Sequence, residues 1–371
     1  MTVAFYAPLK SPNHPTPSGD RRIANLVLEA LSLQQIPYTV VSEFRSFNKT
    51  GDSILQKQLE AAAKLERNRL REKFLQVGPP KLWLTYHLYH KAPDLLGPEL
   101  AREFHIPYCV IEASDAPKQE KGPWARGLQL SRHALNLAGR VFCLNPDDIG
   151  CIRPHLPEWC EIINLPPFID PKPYQTNIDL LNRDSIAREY NLDPSDIWAI
   201  SVAMMRKGDK TKSYEMLAEA WRNLSEDACS LLLVGDGENR AYIEGLFKDC
   251  PCPVRFLGQK DNMKIAQILQ LCDLYVWPGI KEAFGLSLLE AQAAGLPVIS
   301  ANRAGIANIV PNQQAGILCP EGDLDSFCQA ILTLLDDENL RHQMSHNAEN
   351  NIIARHSIKA ASHTLRQGLP L

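Results

Sequence analysis

Two glutamates separated by seven residues, Glu282 and Glu290, are the side chains whose spacing is best suited to chemistry. Before them, Leu274-Tyr275-Val276-Trp277-Pro278-Gly279 has the pattern of a buried strand stopped by turn residues. After Gly285, the apolar residues Leu286, Leu289 and Ala293 fall at helical spacing. The stretch therefore predicts strand, loop and helix, with the backbone N–H groups of Phe284, Gly285, Leu286 and Ser287 at a helix N-terminus, where an anion binds well. Two carboxylates beside an anion site suit a ligand with both phosphates and hydroxyls, and a nucleotide sugar is such a ligand. Two glutamates on a solvated helix face would share the spacing, but the strand-loop-helix setting favours the ligand reading.

The segment resembles the E-x7-E signature of retaining glycosyltransferases, in particular glycosyltransferase family four, the glycosyl transferases group one. Ala294-Gly295-Leu296-Pro297-Val298-Ile299-Ser300, then Gly305 and Gly316-Ile317-Leu318, extend the likeness. The resemblance implies a GT-B fold: two facing Rossmann-like, doubly wound parallel-sheet domains with an interdomain cleft that holds the ligand. It implies transfer of a sugar from a nucleoside-diphosphate sugar to an acceptor with retention of anomeric configuration. No cofactor and no metal is expected beyond the donor substrate.

The same resemblance assigns roles. Arg206 fits the arginine that clamps the donor diphosphate, and either Lys212, with the better spacing to the following helix, or Lys210 fits its lysine partner. A guanidinium holds two phosphate oxygens at once, whereas an ammonium supplies a point charge. Gly235, in the turn Gly235-Asp236-Gly237, falls in a loop near the base, where glycine lets backbone approach a ligand. Leu257-Gly258-Gln259 resembles a segment that holds the base through backbone groups. Glu290 would bind the ribose hydroxyls, since a carboxylate accepts two hydrogen bonds from a vicinal diol. Glu282 would lie near the transferred sugar, with Phe284, Gly285, Leu286 and Ser287 around sugar and phosphate.

On the amino-terminal side, Ser18 and Gly19 open a helix after the first strand and suit a second anion contact. Relatives carry a histidine after the fourth strand, and here Ile111-Glu112-Ala113-Ser114 has none. Glu112, Ser114 and, after the third strand, His87 or His90 are the candidates for that space. Asp323-Leu324-Asp325 has the spacing of a metal-binding pair, but Asp323 precedes an apolar helical run and reads as a helix cap.

These residues need two scaffolds. Strand candidates are Val3–Tyr6, Tyr38–Val41, Leu82–Tyr86, Tyr108–Ile111, Val141–Leu144 and Ile162–Ile163, then Trp198–Val202, Ser230–Val234, Val254–Leu257, Leu274–Trp277, Pro297–Ser300 and Gly316–Cys319. Helical patterns alternate with them, which predicts parallel sheets. Pro166, Pro167, Pro171 and Pro173 make a stiff connector, so the expected domains are 1–165, on the acceptor side, and 166–346, on the nucleotide side. The helical stretch from about 347 to the end is expected to cross back onto the first domain, as in relatives.

The 371 residues exceed one ordinary core, and a net charge of −4 does not suggest a nucleic-acid partner. No apolar run has the length of a membrane span and no signal peptide is evident, so a cytoplasmic location is expected. The ten scattered cysteines read as reduced thiols, and those in apparent strands, such as Cys109 and Cys143, as small buried hydrophobes. Residues 52–76 form a charged helical stretch of mixed sign, which favours a solvated helix over membrane-surface contact. A nucleotide-sugar epimerase of the same architecture and a non-catalytic sugar-nucleotide-binding subunit are the rival readings.

Overall fold

The computed structural model describes residues 2–16, 18–175, 182–225, 229–282 and 285–371. Phe284 of the expected site lies outside the described residues. The chain divides into two units, Met1–Pro166 with Ile358–Leu371, and Pro167–Ser357.

The first unit is built on β1 (Val3–Tyr6), β2 (Tyr38–Val40), β3 (Leu82–Leu88), β4 (Tyr108–Ala113), β5 (Arg140–Cys143) and β6 (Glu161–Asn164). They form one sheet in the order β2-β1-β3-β4-β5-β6, and every pairing is parallel. Helices cover such a sheet on both faces, so its strands read as near-continuous apolar runs; β1 is buried at all four positions. Between β3 and β4, buried Asp94 satisfies several groups at once. It accepts from Leu96 N and Gly97 N at 2.8 Å, opening the helix Gly97–Glu103, and from Thr85 Oγ1 at 2.6 Å and Tyr108 Oη at 3.0 Å.

The second unit repeats the plan with β7 (Trp198–Val202), β8 (Ser230–Val234), β9 (Val254–Gly258), β10 (Leu274–Trp277), β11 (Val298–Ala301) and β12 (Gly316–Cys319). Their order is β12-β11-β10-β7-β8-β9, again all parallel. All twelve strands coincide with the sequence expectation to within about two residues at each end.

Each sheet reverses its direction of growth once. In the first, the chain steps from β1 outward to β2 and then back past β1 to β3; in the second, β7, β8 and β9 grow one way and β10 starts the other. The crevice outside the carboxyl ends of the two strands at such a switch point is where open α/β sheets hold ligands.

The carboxyl-terminal stretch is not one helix. The helix Glu338–Asn351 runs into a π-helical turn, Ile352–His356, and Ser357 is extended. Ile169 N donates to His356 O at 2.9 Å and His356 Nδ1 lies 2.7 Å from Pro167 O, so this break runs alongside the start of the second unit. The segment that returns to the first unit is Ile358–Leu371, which starts later than position 347. Its helix Ile358–Gly368 is held there in part by Gln34 Nε2, which donates to Ser362 Oγ at 2.9 Å. Among the described residues no helix is long and apolar enough to cross a membrane.

Candidate active site

At the switch point of the second sheet, the segments after β7 and β10 meet. Gly208 caps the helix Asp209–Arg222 and Gly285 caps the helix Leu286–Ala293, neither with a side-chain hydrogen bond. Gly285 has φ +70°, a conformation costly for other residues, and this sets the direction of its helix. One residue into the first helix, Lys210 forms an ion pair with Glu282 Oε2. Trp277 Nε1, at the end of β10, donates to the same oxygen at 3.4 Å, and Lys210 Nζ lies 5.1 Å from the centre of the Trp277 ring. The Glu282 carboxylate is thus fixed by a cation and an indole, and its own turn is tied down by Glu282 N donating to Gly279 O and Arg303 Nε donating to Glu282 O.

Lys212 points elsewhere: it is exposed, as is Arg206. Residues two apart on a helix face roughly opposite sides, so only one of the two lysines can reach Glu282. Ser287 is half-buried, with Tyr275 Oη donating to its Oγ at 2.9 Å, and Leu286 opens the helix beside it. Glu290, one turn in, is 4 % exposed. The helix carries Glu290, the residue expected to bind a ribose, inward among buried neighbours.

The loop of Gly235 packs on the loop after β7. A Cβ at Gly235 would come within 1.9 Å of Ala203 O, so its glycine is required for close approach to the chain itself. Gly235 N also donates to Gly258 O at 3.0 Å, which brings together the two segments expected near a base. Asp323 caps the helix Leu324–Asp336 by accepting from Ser326 N at 3.0 Å, as its position in the sequence suggested.

The first unit has its own strand-end cluster, again at the switch point. Ser18 caps the helix Gly19–Leu33, its Oγ accepting from Arg21 N at 3.2 Å, and Gly19 has open space where a Cβ would be. The next residue, Asp20, lies after β1 and holds His87 Nδ1, near the end of β3, at 2.9 Å. Glu112 stands near the end of β4, and Asp148 follows β5. Burial alone would lower the His87 pKa, but the carboxylates of Glu112, Asp20 and Asp148 outweigh it and favour the imidazolium. Asp20 is held below the usual carboxylate range: burial opposes this, and the hydrogen bond and charge of His87 overcome it. Burial, then the charge of Glu112, pushes Asp148 up to about 6.

Ser114 is half-buried one residue beyond β4, with its N–H given to Leu88 O at 3.1 Å. His90 is edge-on to Trp124 at 5.9 Å between ring centres and to Tyr89 at 5.4 Å, and the Tyr89 ring lies 4.8 Å from that of His87. The sequence reading did not single out Asp20, Tyr86 or Asp148. Asp20 carries a signal in hindsight, an acid in the first turn of the helix that Ser18 and Gly19 open; Asp148 carries none.

A depression of about 670 Å³ elsewhere on the first unit is lined by Lys64, Arg67, Arg102 and Arg126. Its charges are spent locally, with Arg126 paired to Glu60 at 2.7 Å and Arg71 to Glu103 at 2.6 Å. Such exposed pairs are worth little, and the carboxylates of Glu60, Asp94, Glu99 and Glu103 line the same depression.

Residues 183–351, which carry the Lys210–Glu282 pair, match the glycosyl transferases group 1 family. The second unit thus resembles a group 1 glycosyltransferase domain. The N-acetyl-alpha-D-glucosaminyl L-malate synthase of Bacillus anthracis is 33 % identical over 190 residues, 50 % of this chain and 47 % of that protein. The sulfoquinovosyl transferase of Arabidopsis thaliana is 33 % identical over 133 residues, 35 % of this chain and 25 % of that protein. The match thus spans between a quarter and a half of these curated relatives. Over the full length, sucrose-phosphate synthase of Thermosynechococcus elongatus superposes with a TM-score of 0.73 at 18 % identity, covering 99 % of this chain and 98 % of that one. Anabaena HepE in complex with UDP-glucose superposes with a TM-score of 0.70 at 14 % identity, covering 99 % of each chain. The fold of the whole chain is GT-B.

Proposed function

We propose that this chain is a retaining glycosyltransferase that moves a sugar from a nucleoside-diphosphate sugar to an acceptor. The observation that carries the reading is the placement of Glu282 and Lys210 at the switch point of the second sheet, beside the Gly285-capped helix that bears Glu290. The diphosphate would lie over the N-terminus of that helix, with Arg206 and Lys212 balancing its charge. Glu282 would accept hydrogen bonds from the transferred sugar and offset positive charge developing at its anomeric carbon. Glu290 would bind the ribose at the mouth of its buried site. Structures of HepE hold UDP and UDP-glucose, which makes UDP the first nucleotide to try.

In a retaining transfer the acceptor oxygen bonds to the anomeric carbon on the face from which the diphosphate leaves. A diphosphate oxygen then takes the acceptor proton. With Arg206 and Lys212 stabilising the leaving charge, the reaction would need neither a divalent cation nor another cofactor. Proton NMR of the first product formed from a UDP-sugar tests the reading, run with and without EDTA. The expected spectrum has the donor's anomeric configuration in both. Inversion would reject retention, loss of turnover in EDTA with rescue by magnesium would reject the cationic clamp, and a new nucleotide sugar without acceptor would identify an epimerase.

A further inference from the structure

Lys210 and Trp277 hold the carboxylate of Glu282, but a side chain is aimed only as well as the backbone that carries it. In the turn after β10, Ile280 N donates to Ser213 Oγ at 3.0 Å, Lys281 N to Glu321 Oε1 at 2.7 Å and Glu282 N to Gly279 O at 3.0 Å. Glu282 O accepts from Arg303 Nε at 3.1 Å, and the Arg303 guanidinium pairs with the other oxygen of Glu321. Arg303 comes two residues after β11, and Glu321 two residues after the edge strand β12. One ion pair from the neighbouring strand ends thus grips Lys281 N–H and Glu282 C=O, one on each side of the peptide that joins them. What it grips is strained. Lys281 has φ +51°, a left-handed backbone that a lysine leaves unless its surroundings hold it there. The Lys281 N–H keeps Glu321 below the usual carboxylate range, with burial opposing and Arg303 adding to the effect, so Glu321 is a charged acceptor at neutral pH. Both partners are about one-third exposed, 34 % and 33 %, and pairs so placed add little to global stability. The consequence of this pair is therefore local.

We propose that Arg303 and Glu321 are positioning residues for Glu282: they hold Lys281 in its strained conformation and so aim the Glu282 carboxylate at the transferred sugar. The inference rests on reading the chain as a glycosyltransferase with Glu282 near that sugar. Both residues act through the backbone of the turn. Without them Lys281 relaxes, the following peptide rotates, and the Glu282 carboxylate leaves the place fixed by Lys210 and Trp277. A carboxylate displaced in this way no longer offsets charge developing at the anomeric carbon, so transfer slows while the nucleotide still binds.

Two readouts on the intact chain test this, with folding of each variant checked by circular dichroism. The first needs no substrate. Trp277 Nε1 donates to Glu282 Oε2, so the indole N–H resonance of Trp277, assigned with Trp277→Phe, reports where that carboxylate sits. It is expected to move in Glu321→Ala and in Arg303→Met, and to stay in place in Glu321→Gln, which keeps an acceptor for Lys281 N. Adding Lys281→Gly to Glu321→Ala should return it toward the parent position, because glycine takes φ near +51° without strain. The second readout is UDP release from UDP-glucose, with UDP binding measured by calorimetry. Glu321→Ala and Arg303→Met should lower kcat at least about tenfold with the UDP dissociation constant within about threefold, and Lys281→Gly should recover most of the loss in Glu321→Ala. An indole resonance unmoved in both single variants, a kcat unchanged in both, or no recovery with Lys281→Gly would overturn the proposal. If the resonances behave as expected but the parent neither binds UDP nor releases it from UDP-glucose, the glycosyltransferase reading fails and the positioning of Glu282 stands. If the parent turns over and the variants match it, only the positioning role fails.

Discussion

His87 and Glu112 stand opposite one another on neighbouring strands, between the paired positions Tyr86/Ile111 and Leu88/Ala113, and both have left-handed backbones. Their φ angles are +62° and +59°. For residues other than glycine this conformation costs on the order of 1–3 kcal/mol each, and strain of this kind concentrates where side chains are aimed for function. Two strained neighbours near the ends of β3 and β4 turn an imidazole and a carboxylate toward the switch point.

Glu112→Gly should therefore separate stability from function. Glycine adopts φ near +60° freely, so the usual loss of about 1 kcal/mol for glycine inside regular structure should be absent. Denaturant unfolding is expected to give a stability equal to or slightly above that of the parent. Turnover should fall at least about tenfold, the scale of one lost charged hydrogen bond. Unchanged turnover would remove Glu112 from the site.

The two lysines make separate predictions. Lys210 fixes Glu282, whereas Lys212 is exposed and available to a diphosphate. Lys210→Met should leave the UDP dissociation constant within about threefold and lower kcat at least about tenfold, because it acts on a carboxylate near the transferred sugar. Lys212→Met should weaken UDP binding by roughly 10- to 100-fold, the equivalent of about 1.5–3 kcal/mol. Calorimetric titration and steady-state kinetics of both variants decide the assignment, and the reverse pattern would exchange the roles.

Glu290 calls for a gentler substitution than alanine. At 4 % exposure, removing its side chain would leave a cavity and mix stability with binding. Glu290→Gln keeps the shape and removes the charge. UDP affinity is expected to drop by about 1.5–3 kcal/mol while the unfolding midpoint changes little. An unchanged dissociation constant would rule out the ribose role.

The scaffold was legible because parallel strands buried on both faces are short apolar runs bounded by turn residues. The second site was legible where it is local: Glu282, Gly285 and Glu290 lie on one strand-loop-helix stretch. Lys210 was not resolved from Lys212, because the choice depends on how the helix Asp209–Arg222 is rotated against the turn at Glu282. The first site was the least legible. Asp20, His87, Glu112 and Asp148 are spread over 129 residues and converge only through the order β2-β1-β3-β4-β5. The terminal helix was misjudged because helical periodicity runs through Ser357, and only the packing of His356 against Pro167 and Ile169 breaks it.

That break supplies the last prediction. His356 is fully buried, and burial pushes its pKa from the ordinary 6.5 down to about 4, despite the hydrogen bond to Pro167 O. In the unfolded chain the imidazole takes up a proton near pH 6.5, whereas in the folded chain it resists protonation until about pH 4. The unfolded state therefore binds more protons between these values, and stability falls as the pH falls through that window. The difference corresponds to about 3 kcal/mol, fully present above the unfolded pKa and lost toward pH 4. Denaturant unfolding of the second unit, followed from pH 7.5 to about pH 4.5, should show this loss, and His356→Gln should flatten the dependence while lowering stability at neutral pH. An NMR titration of His356 that reports protonation near pH 6.5 in the folded chain would contradict the account.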